Sequence, residues 1–286
     1  MVAIFFALAS YVGWGSGDIF SALASRKIGT FPVAFWTYLI GFFLLSLLTP
    51  FFIKDLSKFS PQILVITVGL SVLVWAAWPI FIEALRIGNS SIVGTIAGSF
   101  GGIVVILSMV FLNEALGNYQ LLAIIIILSG VILSSLNFAS LRNKKFIENR
   151  GTSLAIVVMF MWGIYFTFVR IPIDQIGWFW TTYIASATGT TIMAALTILR
   201  KEKVRRIPSR QYLNVSLASV LANAGTASYN FAITQGLTAI VAPIATSYPT
   251  LFVLLSRFVF GDKLTRQQWI GIIISLAGIV LLAIFS

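Results

Sequence analysis

Asp18 is a carboxylate within the apolar run from Val2 to Ala24. Ionisable residues inside membrane-spanning segments are energetically costly, so each one is a functional-site hypothesis by default. Trp14 precedes Asp18 by four residues, which places the two side chains on one face of a helix. This spacing predicts a carboxylate beside an aromatic wall, suited to holding a solute amine or a coupling proton. The alternative is that Asp18 lies close enough to its helix end to pair with a loop cation such as Arg26.

Aromatic and polar side chains within other apolar runs extend this candidate site. The interfacial aromatic belt explains mid-span Trp14 and Trp78 poorly, and aromatic walls suit an organic solute with apolar parts, including a cation held by a ring face. Buried amides in lipid either cross-link helices or face a water-filled cavity. The predicted binding or coupling residues are Tyr11, Trp14, Asp18, Trp78, Trp162, Tyr165, Asn223, Tyr229, Asn230, Ser247 and Tyr248.

Glu83 and Arg86 are three residues apart near the end of the third apolar run, so they share one helix face. An intrahelical ion pair at the membrane surface is the simpler interpretation, and exposed pairs of this kind contribute little to stability. The alternative is that the two side chains form an inner gate.

Small residues recur at four-residue spacing in two of the runs. Gly13 and Gly17 do so in the first, and Gly94, Gly98 and Gly102 do so in the fourth. This spacing favours close helix packing. The alternative, that these smooth faces slide past one another, requires the same geometry.

The chain has no Cys and no His. This composition excludes disulfides, thiol nucleophiles, His-centred proton relays and the usual zinc sites. No Walker-type phosphate-binding loop is present either, so we expect no metal, no cofactor and no drive by ATP. The remaining chemistry must come from carboxylates, amides, hydroxyls and aromatic rings.

Of the 286 residues, 59% are apolar and only 9% are charged, too few to cover a water-soluble domain of this size. The apolar runs have the length of membrane-spanning helices, which excludes a barrel. We therefore predict an all-α integral membrane protein with ten transmembrane helices. The predicted spans are 2–24, 31–53, 62–85, 90–112, 118–138, 152–172, 177–199, 211–235, 238–260 and 267–285.

The net charge of +11 is explained by membrane topology rather than by nucleic acid. Sixteen of the 19 Lys and Arg residues fall in odd-numbered loops, chiefly in the clusters at 142–150 and 200–210. Cytoplasmic loops carry such an excess, so the odd loops should be cytoplasmic. In an inner membrane, both termini then lie on the non-cytoplasmic side.

The two halves of the sequence are similar when offset by 148 residues. Residues 84–138 align without a gap on 232–286, with 18 identities in 55 positions. This predicts two five-helix units, 1–140 and 151–286. A unit with an odd number of spans inserts its second copy upside down, and inverted repeats with a midplane site are a construction of secondary transporters.

The segments that match between the halves also resemble a known family. Their residues are Trp14-Gly15 with Trp162-Gly163, Ala84 to Gly88 with Ala232 to Gly236, and Asn113-Glu114-Ala115-Leu116 with Asp262-Lys263-Leu264. Over essentially its whole length, the chain resembles the ten-helix EamA type of the drug/metabolite transporter superfamily. Two residues depart from that family's pattern. Asp262 stands where Glu is common, and Gly101 stands where Pro is common, which predicts a straighter or more mobile fourth helix.

The resemblance implies a central cavity surrounded by spans one to four and six to nine, with spans five and ten at the periphery. It implies an exporter of small organic metabolites such as amino acids, driven by a solute gradient, by exchange or by protons. Glu114 and Asp262 should then anchor loops at opposite membrane faces. A carrier for sugars or nucleotide-linked solutes is an alternative that favours basic cavity residues. An intramembrane enzyme, the remaining alternative, needs paired carboxylates or a metal cluster.

Overall fold

A computed structural model of the chain describes residues 1–136, 150–199 and 207–286. Within these ranges the chain forms α-helices and two short 3-10 helices, with no strand. The α-helices are α1 (Val2–Ile28), α2 (Thr30–Ser46), α3 (Thr49–Phe52), α4 (Pro61–Ile87), α5 (Ser90–Gly98), α6 (Phe100–Phe111), α7 (Asn118–Ser135), α8 (Arg150–Phe168), α9 (Arg170–Leu199), α10 (Tyr212–Gln235), α11 (Thr238–Thr246), α12 (Tyr248–Val259) and α13 (Arg266–Ile284). The predicted orientation depends on the basic clusters at 142–150 and 200–210, and most of their residues lie outside the described ranges.

Within the described ranges, eight stretches of helix are long and apolar enough to cross a membrane. A ninth candidate is the pair formed by α2 and the segment Thr49–Lys58, which are bent by 54°. The predicted eighth span, α10, is not among them because its Asn, Ser and Thr residues lower its mean hydropathy. The described residues therefore form a multi-pass helical membrane protein, and the count of ten stays a prediction.

The fourth and ninth predicted spans are each broken into two helices. The break between α5 and α6 lies at Ser99, and the break between α11 and α12 lies at Ser247. The interruption at Ser99 lies two residues before Gly101, and the straighter or more mobile fourth helix stays a prediction. The hydroxyl of Ser99 donates to the carbonyl oxygen of Thr95 at 2.7 Å, a side-chain bond of the kind that bends helices without Pro.

Backbone conformations repeat at the same offset of 148 residues. Among the described residues, positive φ angles occur at Gly29 (90°), Gly177 (82°), Asn113 (54°) and Gly261 (74°). Gly29 and Gly177 are one repeat-related pair, with ψ angles of 157° and 162°. Asn113 and Gly261 are the other pair. The two halves therefore turn at equivalent positions.

The closest helix packing runs through glycines. Gly13 of α1 lies against α10, where a Cβ at position 13 would come within 2.8 Å of the Gly225 Cα. In the repeat-related helix pair, α8 and α4, the close contact lies at a different position, where a Cβ at Gly151 would come within 2.7 Å of the Gly88 Cα. The prediction of close packing is thus confirmed at Gly13. It is wrong at Gly94, because no described atom lies within 4 Å of the place where its Cβ would be.

The helices α7 and α13 pack against each other along their length. The Gln120 side chain at the start of α7 donates to the carbonyl oxygen of Phe285, which follows α13, at 3.0 Å. At the other end of the pair, Gln267 donates to the carbonyl oxygen of Leu133 at 2.8 Å. These two contacts fix the helices as an antiparallel pair that contributes no side chain to the cavities described below.

Glu114 anchors the start of α11. Its carboxylate accepts hydrogen bonds from the backbone N–H groups of Thr238 and Ala239 at 2.8 and 2.7 Å. A negative charge at a helix N-terminus satisfies free N–H groups and interacts favourably with the helix dipole. The loop-anchoring role predicted for Glu114 is therefore confirmed. Its repeat-related residue, Asp262, is exposed beyond the end of α12.

Arg170 holds the adjoining end of α10. Its guanidinium donates to the backbone carbonyl oxygens of Ile233 and Gly236, which are the free acceptors at that helix terminus. The same guanidinium forms an ion pair with Asp174 at 2.8 Å. Glu114 and Arg170 therefore fix the turn between α10 and α11 from both sides.

Candidate functional site

Three adjoining cavities lie at the centre of the helix bundle. The aromatic chamber, of about 170 Å³, is lined by Trp14, Asp18, Val74, Trp75, Trp78, Phe100, Trp162, Phe166 and Tyr248. The polar chamber, of about 200 Å³, is lined by Trp14, Thr37, Tyr38, Val74, Trp75, Tyr165, Phe166, Thr182, Ala185, Ser186, Ala222, Asn223 and Thr226.

The third cavity, the loop-side chamber, has a volume of about 230 Å³. It reaches Ser25 and Thr30, on either side of the turn between α1 and α2. Asp18 and Trp78 line both this chamber and the aromatic chamber. Asp18 therefore lies where the aromatic interior meets the path toward a helix end.

Asp18 is accessible to solvent, although its neighbour Ile19 is buried and Trp14, Trp78 and Tyr248 line the same chamber. Such accessible surface in the interior arises because the side chain faces a cavity. In the described part of the chain, no residue forms a hydrogen bond or an ion pair with Asp18. The alternative partner, Arg26, lies over the ring of Phe260 at 3.9 Å. The Asp18 carboxylate is thus available to a bound solute.

Trp14 is held among three aromatic rings. Its ring centroid is 5.5 Å from that of Phe166, 5.7 Å from that of Tyr229 and 5.7 Å from that of Tyr248. Its indole N–H donates to the Thr226 hydroxyl at 3.1 Å. Edge-on and offset ring contacts of this kind fix the orientation of an aromatic wall.

Trp162 has equivalent surroundings on the other side of the aromatic chamber. Its ring centroid is 5.2 Å from that of Phe81 and 5.6 Å from that of Phe100. Phe81 is the repeat-related position of Tyr229, and Phe100 is that of Tyr248. The two tryptophans therefore form equivalent contacts from opposite halves of the sequence.

The walls have equivalent positions but different chemistry in the two halves. Both halves contribute aromatic side chains, but four repeat-related pairs differ. They are Asp18 with Phe166, Tyr38 with Ser186, Trp75 with Asn223, and Trp78 with Thr226. At these four pairs the first half supplies the carboxylate and three large aromatic side chains, and the second half supplies one phenylalanine and three smaller polar side chains.

Two hydroxyl groups of the polar chamber have no partner among the described residues. They are the Oγ1 of Thr37 and the Oγ of Ser186, in side chains that are 8% and 6% exposed. The amide nitrogen of Asn223 donates to the carbonyl oxygen of Ser219 at 2.9 Å. This bond uses the nitrogen of the amide and leaves its Oδ1 as an acceptor. Buried hydroxyls without partners are costly, and because these two oxygens have almost no accessible surface, a ligand or water reaches them only when the neighbouring side chains move.

Seven of the residues predicted for the site line these cavities: Trp14, Asp18, Trp78, Trp162, Tyr165, Asn223 and Tyr248. The other four do not. Tyr11 is hydrogen-bonded to Thr250, Tyr229 donates to the Phe166 carbonyl oxygen, Asn230 donates to Thr182, and Ser247 donates to the Ile244 carbonyl oxygen. These bonds fit the packing alternative for buried polar residues in a membrane, although the Oδ1 of Asn230 has no partner among the described residues.

Glu83 and Arg86 form an exposed ion pair with an N–O distance of 2.6 Å. Their side chains are 45% and 70% exposed, and neither lines a described chamber. The two side chains pair within one helix face, as the simpler interpretation predicts, and the gate stays a prediction.

Several cavity residues lie outside the predicted set: Thr37, Tyr38, Trp75, Phe100, Phe166 and Ser186. A signal for them is present in the sequence. Tyr38, Phe100 and Phe166 lie 148 residues from Ser186, Tyr248 and Asp18, respectively. Applying the repeat offset to each predicted residue would have found three of these six positions: Phe166 from Asp18, Phe100 from Tyr248 and Trp75 from Asn223.

The described helices and chambers define a class: a multi-pass helical membrane protein whose interior holds one unpaired carboxylate among aromatic walls. The sequence model of the EamA-like transporter family matches residues 1–136 and 149–284. The chain belongs to this family, and it is a membrane transporter of small solutes.

Two relatives are similar to parts of the chain. An uncharacterized transporter in the cobO 3' region of Sinorhizobium sp. is 27% identical over 120 residues, which are 41% of this chain and 85% of that protein. The uncharacterized protein MJ1333.1 of Methanocaldococcus jannaschii is 34% identical over 94 residues, 32% of this chain and 69% of that protein. Because the matched residues cover most of each relative, each relative is about half as long as this chain.

A solved structure, described only as "Crystal structure of protein", has the same fold. It matches with a TM-score of 0.77 at 13% identity, covering 99% of this chain and 97% of its own. At this identity the likeness concerns the fold alone, and substrate must be argued from the cavity.

Proposed function

We propose that this chain is a secondary transporter that exports small organic metabolites, such as amino acids and their derivatives, by alternating access at the central chambers. The observation that carries the proposal is the unpaired Asp18 carboxylate, accessible within the interior and flanked by aromatic walls. A charge within a membrane-spanning segment is costly without a protein partner, so its retention is explained by a charged solute or a proton.

We propose that the architecture is ten spans in two inverted repeats, 1–140 and 151–286. Three observations support this proposal: the repeated positive φ angles, the equivalent surroundings of Trp14 and Trp162, and the double match to the family. The contact of Gln120 with Phe285 also requires the start of α7 and the end of α13 to lie on one side.

The broken helices support alternating access. Phe100 begins α6, Tyr248 begins α12, and both residues line the aromatic chamber. Discontinuous helices at corresponding positions of two repeats are a recurring feature of transporter binding sites. In this arrangement the two halves rock about the chambers and expose them alternately to each side of the membrane.

The inner-membrane orientation follows from the loop charges, with both termini on the non-cytoplasmic side. In this orientation the loop-side chamber extends toward the cytoplasm, because the turn between α1 and α2 is the first loop. A solute for export then meets Asp18 on its way from that side.

The two rival functions fit the chambers less well. A carrier for sugar phosphates or nucleotide-linked solutes favours basic residues at the site, whereas the described lining residues include no Lys or Arg. An intramembrane enzyme needs a second carboxylate or a metal cluster beside the first. Among the described lining residues, Asp18 is the one carboxylate.

Solute counterflow into proteoliposomes of the purified chain tests the proposal. A panel of amino acids, amines, sugars and nucleotides is screened, and each positive solute is repeated with an imposed pH gradient. We expect counterflow of at least one amino acid or amine, and a pH dependence if protons compete for Asp18. Counterflow of phosphorylated solutes alone, or of no solute in the panel, would contradict the proposed function.

A further inference from the structure

We propose that the chambers recognise the ammonium group of a solute and an uncharged hydrogen-bonding group, and that they discriminate against a carboxylate. This inference rests on the proposed transport of small organic solutes, and it names their chemistry. It predicts that amines are better ligands than the corresponding amino acids.

The charge of the lining residues favours a cation. Asp18 is the one carboxylate that the described chambers contain, and no described lining residue is a Lys or Arg. An ammonium beside Asp18 gains a charge-assisted hydrogen bond. A solute carboxylate in the same space has no cation to pair with, and burying an unpaired charge is costly.

The aromatic chamber suits the apolar body of such an amine. Trp14, Trp78, Trp162 and Tyr248 surround the space next to Asp18. Aromatic faces attract a cation and also pack against an apolar or aromatic group. Because the chamber measures about 170 Å³, below the range of drug-sized pockets, the solute is small or extends into the polar chamber.

The polar chamber suits an uncharged hydrogen-bonding group. The hydroxyls of Thr37 and Ser186 have no partner among the described residues, and each can donate and accept once a solute group displaces the side chains that cover its oxygen. The two hydroxyls come from α2 and α9, one from each half of the chain. The solute therefore has a defined orientation, with its ammonium at Asp18 and its polar end in the polar chamber.

Matched ligands separate these contributions. Tyramine has an ammonium, an aromatic ring and a hydroxyl. Tyrosine adds a carboxylate to tyramine, and phenethylamine removes the hydroxyl. Binding is measured by tryptophan fluorescence of the purified full chain in detergent. We expect tyramine to bind about tenfold or more tightly than tyrosine, and about fivefold more tightly than phenethylamine, the equivalent of one net hydrogen bond.

Variants assign each preference to its residues. Asp18→Asn should weaken tyramine binding by about tenfold or more, while Asp55→Asn, at an exposed ion pair, should leave it unchanged. The double variant Thr37→Val with Ser186→Ala should bring the affinities for tyramine and phenethylamine to within about twofold of each other. A ratio between two ligands is insensitive to a general loss of stability. A monodisperse elution profile verifies that each variant is folded.

Tyrosine binding as tight as tyramine binding in the wild-type chain would overturn the inference, as would an absence of tyramine binding. An unchanged ratio of tyramine to phenethylamine affinity in the double variant would overturn the assigned orientation. These failures are distinct from failure of the proposed function, because counterflow of zwitterionic amino acids would still demonstrate transport.

Discussion

Trp14 lies edge-on against Tyr248, with ring centroids 5.7 Å apart and ring planes at 73°. Displaced by 148 residues, Trp162 lies edge-on against Phe100 at 5.6 Å and at the same 73°. Each tryptophan thus faces the first residue of the second half of a broken helix. A motion that rearranges one break should therefore rearrange the tryptophan that packs on it, which links the cavity wall to the helices proposed to move.

The hydrogen bond from Trp14 to Thr226 should couple the two residues energetically. We expect Trp14→Phe and Thr226→Val each to destabilise the folded chain, and the double variant to lose less than the sum of both. The expected coupling is about 1 kcal/mol, the net value of one hydrogen bond. Denaturant unfolding in detergent micelles measures all four chains, and strict additivity would contradict the contact.

Glu114→Gln should destabilise the start of α11. The amide retains one acceptor, loses the charge and directs an N–H group toward the donors of Thr238 and Ala239. The expected cost is about 1–3 kcal/mol. The matched control is Asp262→Asn at the repeat-related, exposed position, which should change stability by less than about 0.5 kcal/mol. Equal effects of the two changes on thermal unfolding would contradict the anchoring role.

The glycines of α1 and α5 give a second matched pair. In Gly13→Ala the new Cβ would meet the α10 backbone at 2.8 Å, so the helices must separate at a cost of about 1–3 kcal/mol. Gly94→Ala meets no described atom within 4 Å, so we expect no loss and a gain of up to about 1 kcal/mol from helix propensity. Apparent melting temperatures in the same detergent compare the two variants. A destabilised Gly94→Ala chain would contradict this packing.

These glycines show where sequence reasoning is strong and where it is weak. Gly13 and Gly94 have the same four-residue spacing, which reports that a helix face is smooth but not whether another helix covers it. Most span boundaries could be predicted because lipid requires long apolar helices. The break at Ser247 could have been predicted from Pro249, which has no N–H group to continue the helix, whereas the break at Ser99 could not, since the side-chain hydrogen bond there requires only a common residue type.

The candidate site divides in the same way. Asp18 could be predicted because a charge in an apolar run is rare and costly. Tyr11, Asn230 and Ser247 were predicted with it, yet they bond to neighbouring helices or backbone. A residue that lines a cavity and a residue that packs between helices can have the same type and the same depth in the membrane. Only the direction of the side chain separates a cavity residue from a packing residue, and that direction depends on helix rotation.

The proposed orientation can be tested with single cysteines, because the native chain has none. Ile147→Cys, in the basic loop between the halves, should resist an impermeant maleimide added to intact cells. Lys54→Cys, at the predicted outer surface, is the control that should be labelled. Labelling of position 147 but not of position 54 would reverse the orientation.

Asp18→Asn is the most direct test of the account, because the amide keeps the shape of the carboxylate and removes its charge. The measurement is counterflow of the best solute from the screen, with wild-type, Asp18→Asn and Asp55→Asn chains reconstituted at equal density and assayed at several pH values. A proton and a solute amine compete for one carboxylate, so wild-type counterflow should fall as the pH is lowered. We predict that Asp18→Asn abolishes counterflow, or that any remaining counterflow no longer responds to pH. Asp55→Asn should behave as wild type. Near-normal, still pH-dependent counterflow by Asp18→Asn would contradict the central role of this carboxylate.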